Sequence, residues 1–280
     1  MMSDMLKDVL LDTIKLLPYL FIAFIILEFI EHNLSKKNVS ILTKNKKYGP
    51  IVGGVLGALP QCGFGTVAAN LFSSKVISIG TVIAVFLSTS DEMLPIMIGE
   101  KIAIIDIIKI ISFKVLVGII TGFLVDLFYN KKSKDNFVIE HMCEEEHCHC
   151  NSDGVIISSI KHTIKIGLFI LIANLLISLF IYEIGEENLQ NVLLHHNIFT
   201  YFIASLIGLI PNCASSVIIT ELYLNNLITL GNLMAGLLTG SGLGILVLFK
   251  SNRDIKENII ILSIIYFVGV LIGIIVDFVI

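Results

Sequence analysis

The chain has 280 residues, is 55% hydrophobic and 15% charged, and carries a formal net charge of -4. Its mean hydropathy is +0.91. A soluble domain of this size should be roughly a quarter charged, so an ordinary soluble fold is excluded. The absence of a basic patch in the sequence excludes a nucleic-acid partner.

The N-terminal stretch "MMSDMLKDVLLDTIK" is polar and mixed in charge, so no cleavable signal peptide is expected. Eight apolar segments follow, at about 12–31, 49–74, 76–98 and 104–129, then 162–183, 198–224, 227–249 and 257–280. Runs near 20 residues can cross ~30 Å of hydrocarbon as helices. The expected fold is an all-α polytopic membrane protein in the lipid bilayer.

Two of these segments contain related motifs, "ALPQCGFGT" (58–66) and "LIPNCASS" (209–216). A shift of 151 carries Pro60 and Cys62 onto Pro211 and Cys213, Gly80 onto Gly231, and Ser88-Thr89-Ser90 onto Thr239-Gly240-Ser241. The same shift carries Gly118, Gly122 and Asp126 onto Gly269, Gly273 and Asp277. Matched Pro, Cys, Gly and Asp at one offset point to an internal duplication. The expected organisation is a transmembrane repeat at 1–129, a cytoplasmic His/Cys/Glu-rich linker at 130–160 and a second transmembrane repeat at 161–280.

Charge placement gives an expected topology. The loop at 32–48 holds Lys36, Lys37, Lys44, Lys46 and Lys47, and Lys131, Lys132 and Lys134 open the linker. Lysine-rich loops belong in the cytoplasm. Eight full crossings would put these two groups on opposite sides. If the Pro-Gln-Cys and Pro-Asn-Cys segments enter and return on one side, all of these lysines fall inside, together with Lys250, Arg253 and Lys256. Both termini are then outside in the cell membrane. Each half has three spanning helices and one re-entrant broken-helix hairpin, and the odd number of crossings inverts one half relative to the other. The alternative is a proline kink in an ordinary spanning helix. Inverted repeats with broken helices near the midplane are the build of secondary transporters.

Candidate functional residues cluster in these segments. "FLSTSDEMLP" (86–95) places Ser88, Thr89, Ser90, Asp91 and Glu92 together. Carboxylates inside a membrane segment are costly and mark ion or substrate paths, and oxygen ligands suit cations such as Mn²⁺. The alternative for Asp91 and Glu92 is solvation near an interface. Gln61 and Asn212 flank the Pro motifs and either orient substrate or tie down broken backbone. Cys62 and Cys213 either bind a soft metal or arsenic(III) as thiolates or pack as small apolar residues. Asn70 and Glu221 are partners at the same offset and either flank a cavity or face water. Asp126 and Asp277 are expected to anchor helix ends. The linker tract "HMCEEEHCHC" offers His141, Cys143, His147, Cys148, His149 and Cys150 as ligands for a soft or borderline divalent metal.

The motifs "LPQCGFGTVAANLFSSKVISIGTVIAVFLSTSDEMLPI" (59–96) and "IPNCASSVIITELY" (210–223), with the His/Cys linker, resemble the ten-transmembrane heavy-metal exporter family. Its members are described as arsenic efflux proteins or manganese transporters. The resemblance covers almost the whole chain and implies a transported metal or metalloid ion. No tightly bound cofactor is expected beyond that ion and a metal in the linker. No nucleotide-binding loop of the form GxxxxGK[ST] occurs, so transport would be driven by ion or substrate gradients, with a proton or sodium ion as candidate coupling ions. The expected function is secondary-active export, a divalent cation such as manganese being favoured over arsenite. An intramembrane enzyme using Asp91 and Glu92, and a passive metal channel, are the alternatives. The sequence leaves a homo-oligomeric state open.

Overall fold

A computed structural model of the protein describes residues 48–59, 62–90, 93–129 and 198–279, with scattered helical residues between 10 and 25 and between 156 and 179. Among the described residues there is no strand. The helices are α1 (Gly49–Gly57), α2 (Cys62–Ser73), α3 (Ile79–Ser88), α4 (Met93–Gly99), α5 (Ile104–Tyr129), α6 (Phe199–Gly208), α7 (Cys213–Leu224), α8 (Leu230–Thr239), α9 (Gly244–Ser251) and α10 (Ile255–Val279). The offset of 151 carries the first residues of α2, α3, α4 and α5 onto the first residues of α7, α8, α9 and α10.

In each series four short helices precede one long one. Helices α5 and α10 are continuous, with 26 and 25 residues, which at ~1.5 Å per residue is long enough to cross a bilayer. They are mostly uncovered, with 28% and 33% of their apolar windows buried. The segments Ile79–Gly99 and Leu230–Ser251 are 69% and 78% buried and form the centre. Each was expected to be one spanning helix. Each is instead interrupted, α3 from α4 and α8 from α9.

The interruptions have local causes. The Ser88 and Thr89 hydroxyls both donate back to the Val85 carbonyl, at 3.0 and 2.8 Å. Thr89 then leaves the helix at φ -54°, ψ 129°. Thr239 donates to the carbonyls of Ala235 and Gly236, at 3.1 and 2.9 Å. Beyond it Gly240 turns away at ψ 82°, and Gly242 takes φ 53°, which glycine adopts without strain. Hydroxyls that bond their own helix offer the backbone an alternative to continuing it.

The opposite ends of α3 and α8 are fixed by a second device. Ser78 and Thr229 cap them, accepting from the amides of Thr81 and Asn232. A carboxylate from the end of the neighbouring long helix closes each cap. Asp126 accepts from the Gly80 amide at 2.8 Å and from the Ser78 hydroxyl at 2.6 Å. Asp277 accepts from the Gly231 amide at 2.7 Å and from the Thr229 hydroxyl, and Tyr201 adds a third donor at 2.8 Å. A negative charge there also offsets the positive end of the helix dipole. The expectation that these aspartates anchor helix ends is met, with the addition that each anchors another helix as well.

Close approach makes these caps reachable. Gly118 and Gly122 of α5 lie against Ala84 and Gly80 of α3, while Gly269 and Gly273 of α10 lie against Ala235 and Gly231 of α8. Small residues one turn apart let helix backbones touch. Helix α5 therefore runs antiparallel to α3. Helix α1 runs with α3: a Cβ at Gly53 would meet Thr81, and one at Gly57 would meet Val85 and Ser88. Helix α6 runs with α8 in the same way, from Tyr201 beside Asp277 to Gly208 beside Gly236 and Thr239.

The two series also exchange neighbours. The amino end of α2 packs on α9 through Gly65 and Gly244, while Ser73 donates to the Ser251 carbonyl at 3.0 Å. The α2–α3 turn places Lys75 at φ 59°, and the α7–α8 turn places Asn226 at φ 57°. Lys75 pairs with Glu257 in the first turn of α10 at 2.7 Å. The amino end of α3 thus lies beside the start of α10, and the amino end of α8 lies beside the end of α10.

Gly80→Ala should lower the melting temperature of the purified protein by about 5 °C, because its Cβ would strike the Gly122 carbonyl and Asp126 at an overpacking cost of about 2 kcal/mol. Gly99→Ala, with no neighbour within 4 Å, should not lower it.

Candidate functional site

The helix breaks gather into one buried polar centre. Ser88, Thr89 and Ser90 are 0%, 2% and 1% exposed. Ser90 donates from Oγ to the Ala58 carbonyl at 2.7 Å, tying the end of α3 to the end of α1. Thr239 and Ser241 are likewise buried. Gly208, at the end of α6, abuts Gly236 and Thr239. Gly65, near the start of α2, faces the Ser241 carbonyl and Gly244, so the first series reaches the break of the second.

A lysine joins the two breaks. Lys114, about 15 Å along α5, is 1% exposed. Its ammonium donates to the Thr89 carbonyl at the end of α3 and, at 2.8 Å, to the Leu237 carbonyl in the last turn of α8. In a continuing helix the Leu237 carbonyl would accept from the Ser241 amide, but that amide donates to Thr239. A lysine buried on a helix of spanning length is expensive and is kept where it has a task. In the sequence it is marked only as the single charge in the run 110–125.

The expected site residues fare unequally. Ser88, Thr89 and Ser90 lie at the break itself. Asn212 caps α7, accepting from the Ala214 amide at 2.9 Å, which is the backbone-tying role. Cys62 and Cys213 are the first residues of α2 and α7, and their thiols lie outside the described residues. So do Gln61, Asp91, Glu92 and the linker residues His141, Cys143, His147, Cys148, His149 and Cys150. The offset partners Asn70 and Glu221 differ: Asn70 is fully buried and accepts from the Ser251 hydroxyl at 2.8 Å, whereas Glu221 is exposed. Among the described residues, no three His, Cys, Asp or Glu side chains come together as a metal site.

Three buried polar atoms among the described residues have no hydrogen-bond partner: Asn70 Nδ2, Asn232 Oδ1 and Ser241 Oγ. Ser241 is the one at a break, and its hydroxyl is free to meet a bound ion or its water. An open cleft of about 500 Å³ lies at the other end of α8, lined by Thr200, Tyr201, Thr229, Asn232 and Asp277 among others. Its carboxylate is already held by three donors, so we do not place the site there.

The family described as "Putative, 10TM heavy-metal exporter" matches the chain over residues 4–186 and 169–280. The chain belongs to this family. Comparison with curated proteins and with solved structures returned no match. With four helical segments among the described residues long and apolar enough to span a bilayer, it is a multi-pass membrane protein of a heavy-metal exporter family. The buried polar centre lies on the two most buried of those segments.

Ser90→Ala should lower the melting temperature by about 3 °C, since the Ala58 carbonyl loses its donor at a cost of about 1 kcal/mol. Ser241→Ala removes a hydroxyl that has no partner and should leave the melting temperature unchanged. Thermal unfolding of the two variants in detergent checks the pair.

Proposed function

We propose that this protein is a secondary-active transporter that exports a metal ion from the cytoplasm by alternating access, with a divalent cation such as Mn²⁺ as substrate. The observation that carries this reading is that α3 and α8 approach from opposite ends of α10 and both stop at Lys114. That arrangement supports two halves of inverted topology. Parallel halves would start both helices from the same side.

The packing of α1 supports a re-entrant hairpin. Helices α1 and α3 run in the same direction and end together at Gly57, Ala58, Ser88 and Ser90. The chain between them must therefore return, and α2 brings it back to Lys75, beside the start of α10. With 9 residues in α1 and 10 in α3, each reaches ~15 Å, about half the hydrocarbon core. The breaks then sit near the midplane, where broken helices form transport sites. The turn carrying Lys75 and the start of α10, with Arg253 and Lys256, share one side, which the positive-inside rule makes cytoplasmic.

Charge favours a cation. Asp91 and Glu92 follow the first break directly in sequence, and together they exceed the single positive charge of Lys114. The hydroxyls of Ser88, Ser90, Thr239 and Ser241 would supply further oxygen, and Gln61 directly precedes α2 in the sequence. The His/Cys tract at 141–150 would capture or sense metal on the cytoplasmic side. One feature favours arsenite as a second reading. Cys62 and Cys213 each open a helix, and helix amino ends stabilise negative charge such as a thiolate.

Purified protein in liposomes should take up Mn²⁺, and Asp91→Asn with Glu92→Gln should reduce that flux at least tenfold. Cys62→Ser with Cys213→Ser should leave it within about twofold. Arsenite flux that survives the carboxylate pair but not the cysteines would replace the cation reading. Absence of any metal or metalloid flux would contradict transport.

A further inference from the structure

We propose that the ends of α3 and α8 form a monovalent-cation site which the chain fills with the ammonium group of Lys114. The proposal rests on the reading that the helix breaks form the transport centre, and it deepens that reading by naming what holds the two breaks together.

The carboxyl end of a helix carries roughly half a negative charge, from its unpaired carbonyls. Two such ends meet here. The Thr89 carbonyl terminates α3 and the Leu237 carbonyl belongs to the last turn of α8, released by the Ser241 amide turning to Thr239. Two half charges call for about one positive charge between them, and Lys114 Nζ bonds both carbonyls. Carbonyl oxygens converging on a point, buried from solvent, are also how proteins strip and bind potassium or sodium ions. An ammonium on a flexible stem is a compact point charge with three donors, so it can stand in such a site with no dehydration of a free ion.

The site belongs to one half alone. The offset of 151 takes Lys114 to Ile265, which is fully buried and uncharged. The lysine stem descends from α5 of the first series, while one of its two carbonyls belongs to the second series. Lys114 is thus a positioning residue. It couples the two interrupted helices across the interface between the halves, and it makes their docking independent of free sodium or potassium.

The proposal predicts that a free cation can replace the lysine. Lys114→Ala and wild type are purified in detergent and melted in choline chloride, and in sodium, potassium or n-butylammonium chloride at equal ionic strength. In choline the variant should melt below wild type. At least one of the three small cations should raise it by about 5 °C at saturating concentration, while wild type moves by less than about 1 °C. Lys114→Gln, which keeps one donor group for the carbonyls, should respond in the same sense if the alanine variant is poorly recovered. A deficit that no cation repairs would overturn the proposal, as would an equal response from wild type. Failure to recover either variant in potassium or butylammonium buffer also counts against it, because the free ion should suffice. No transported metal is present in this assay, so its failure leaves the transport reading standing, and a failure of metal flux leaves the cation site standing. In liposomes, metal flux through Lys114→Ala should require the same cation that restores its stability, whereas wild-type flux should not.

Discussion

Hydrocarbon offers no hydrogen bonds to an unpaired backbone group, and the architecture of this protein follows from that constraint. A helix may end inside a membrane only where protein covers the end and supplies its missing partners. Here α3 and α8 both end in the buried interior of the protein, and each end is covered. The continuous helices α5 and α10 lie against them through glycine faces, keeping most of their own apolar surface for lipid. The loose carbonyls find Lys114 and side-chain hydroxyls. The amino ends, at the other extreme of α3 and α8, find serine or threonine caps and an aspartate. Each interrupted helix is thus held at both ends, by charges of opposite sign matched to its dipole.

The same constraint bears on the proposed function. Backbone that must be protected from lipid is also backbone available to an ion, and the cost of interrupting a helix is borne where the interruption is used. The polar side chains at the two breaks are not equivalent. Ser90 is committed to the Ala58 carbonyl, while Ser241 keeps an unpaired hydroxyl. Lys114 stands opposite an isoleucine in the other series. A duplicated frame in which only one half carries this lysine combines a repeated scaffold with a specialised centre, which suits the proposed transport function.

Much of the frame was legible in the sequence because it depends on residues with few substitutes. Gly80, Gly122 and Asp126, and their partners Gly231, Gly273 and Asp277, recur at one offset because a cap and a close contact leave little room for other chemistry. The breaks were less legible. Ser88-Thr89-Ser90 reads as polar residues within a helix, since hydroxyls are tolerated there, and only their bonds back to Val85 reveal the termination. Gly240-Ser241-Gly242 was the clearer warning, with two glycines in three residues. Asn70 and Glu221 were paired by offset alone, and the offset does not say that one is buried and the other exposed. Lys114 was missed because one charge among apolar neighbours carries no periodicity. Its meaning depends on two carbonyls far from it in the chain.

The opposed entry of α3 and α8 is the centre of this account, and labelling from one side of the membrane tests it most directly. Single cysteines at Lys75 and Asn226, the two positive-φ turns that precede these helices, would be placed in a background without the native cysteines. They would then be treated with an impermeant maleimide in right-side-out and inside-out vesicles. The account predicts that the cysteine at 75 reacts only from the cytoplasmic face and the one at 226 only from the outer face. Reaction of both from the same face would contradict it.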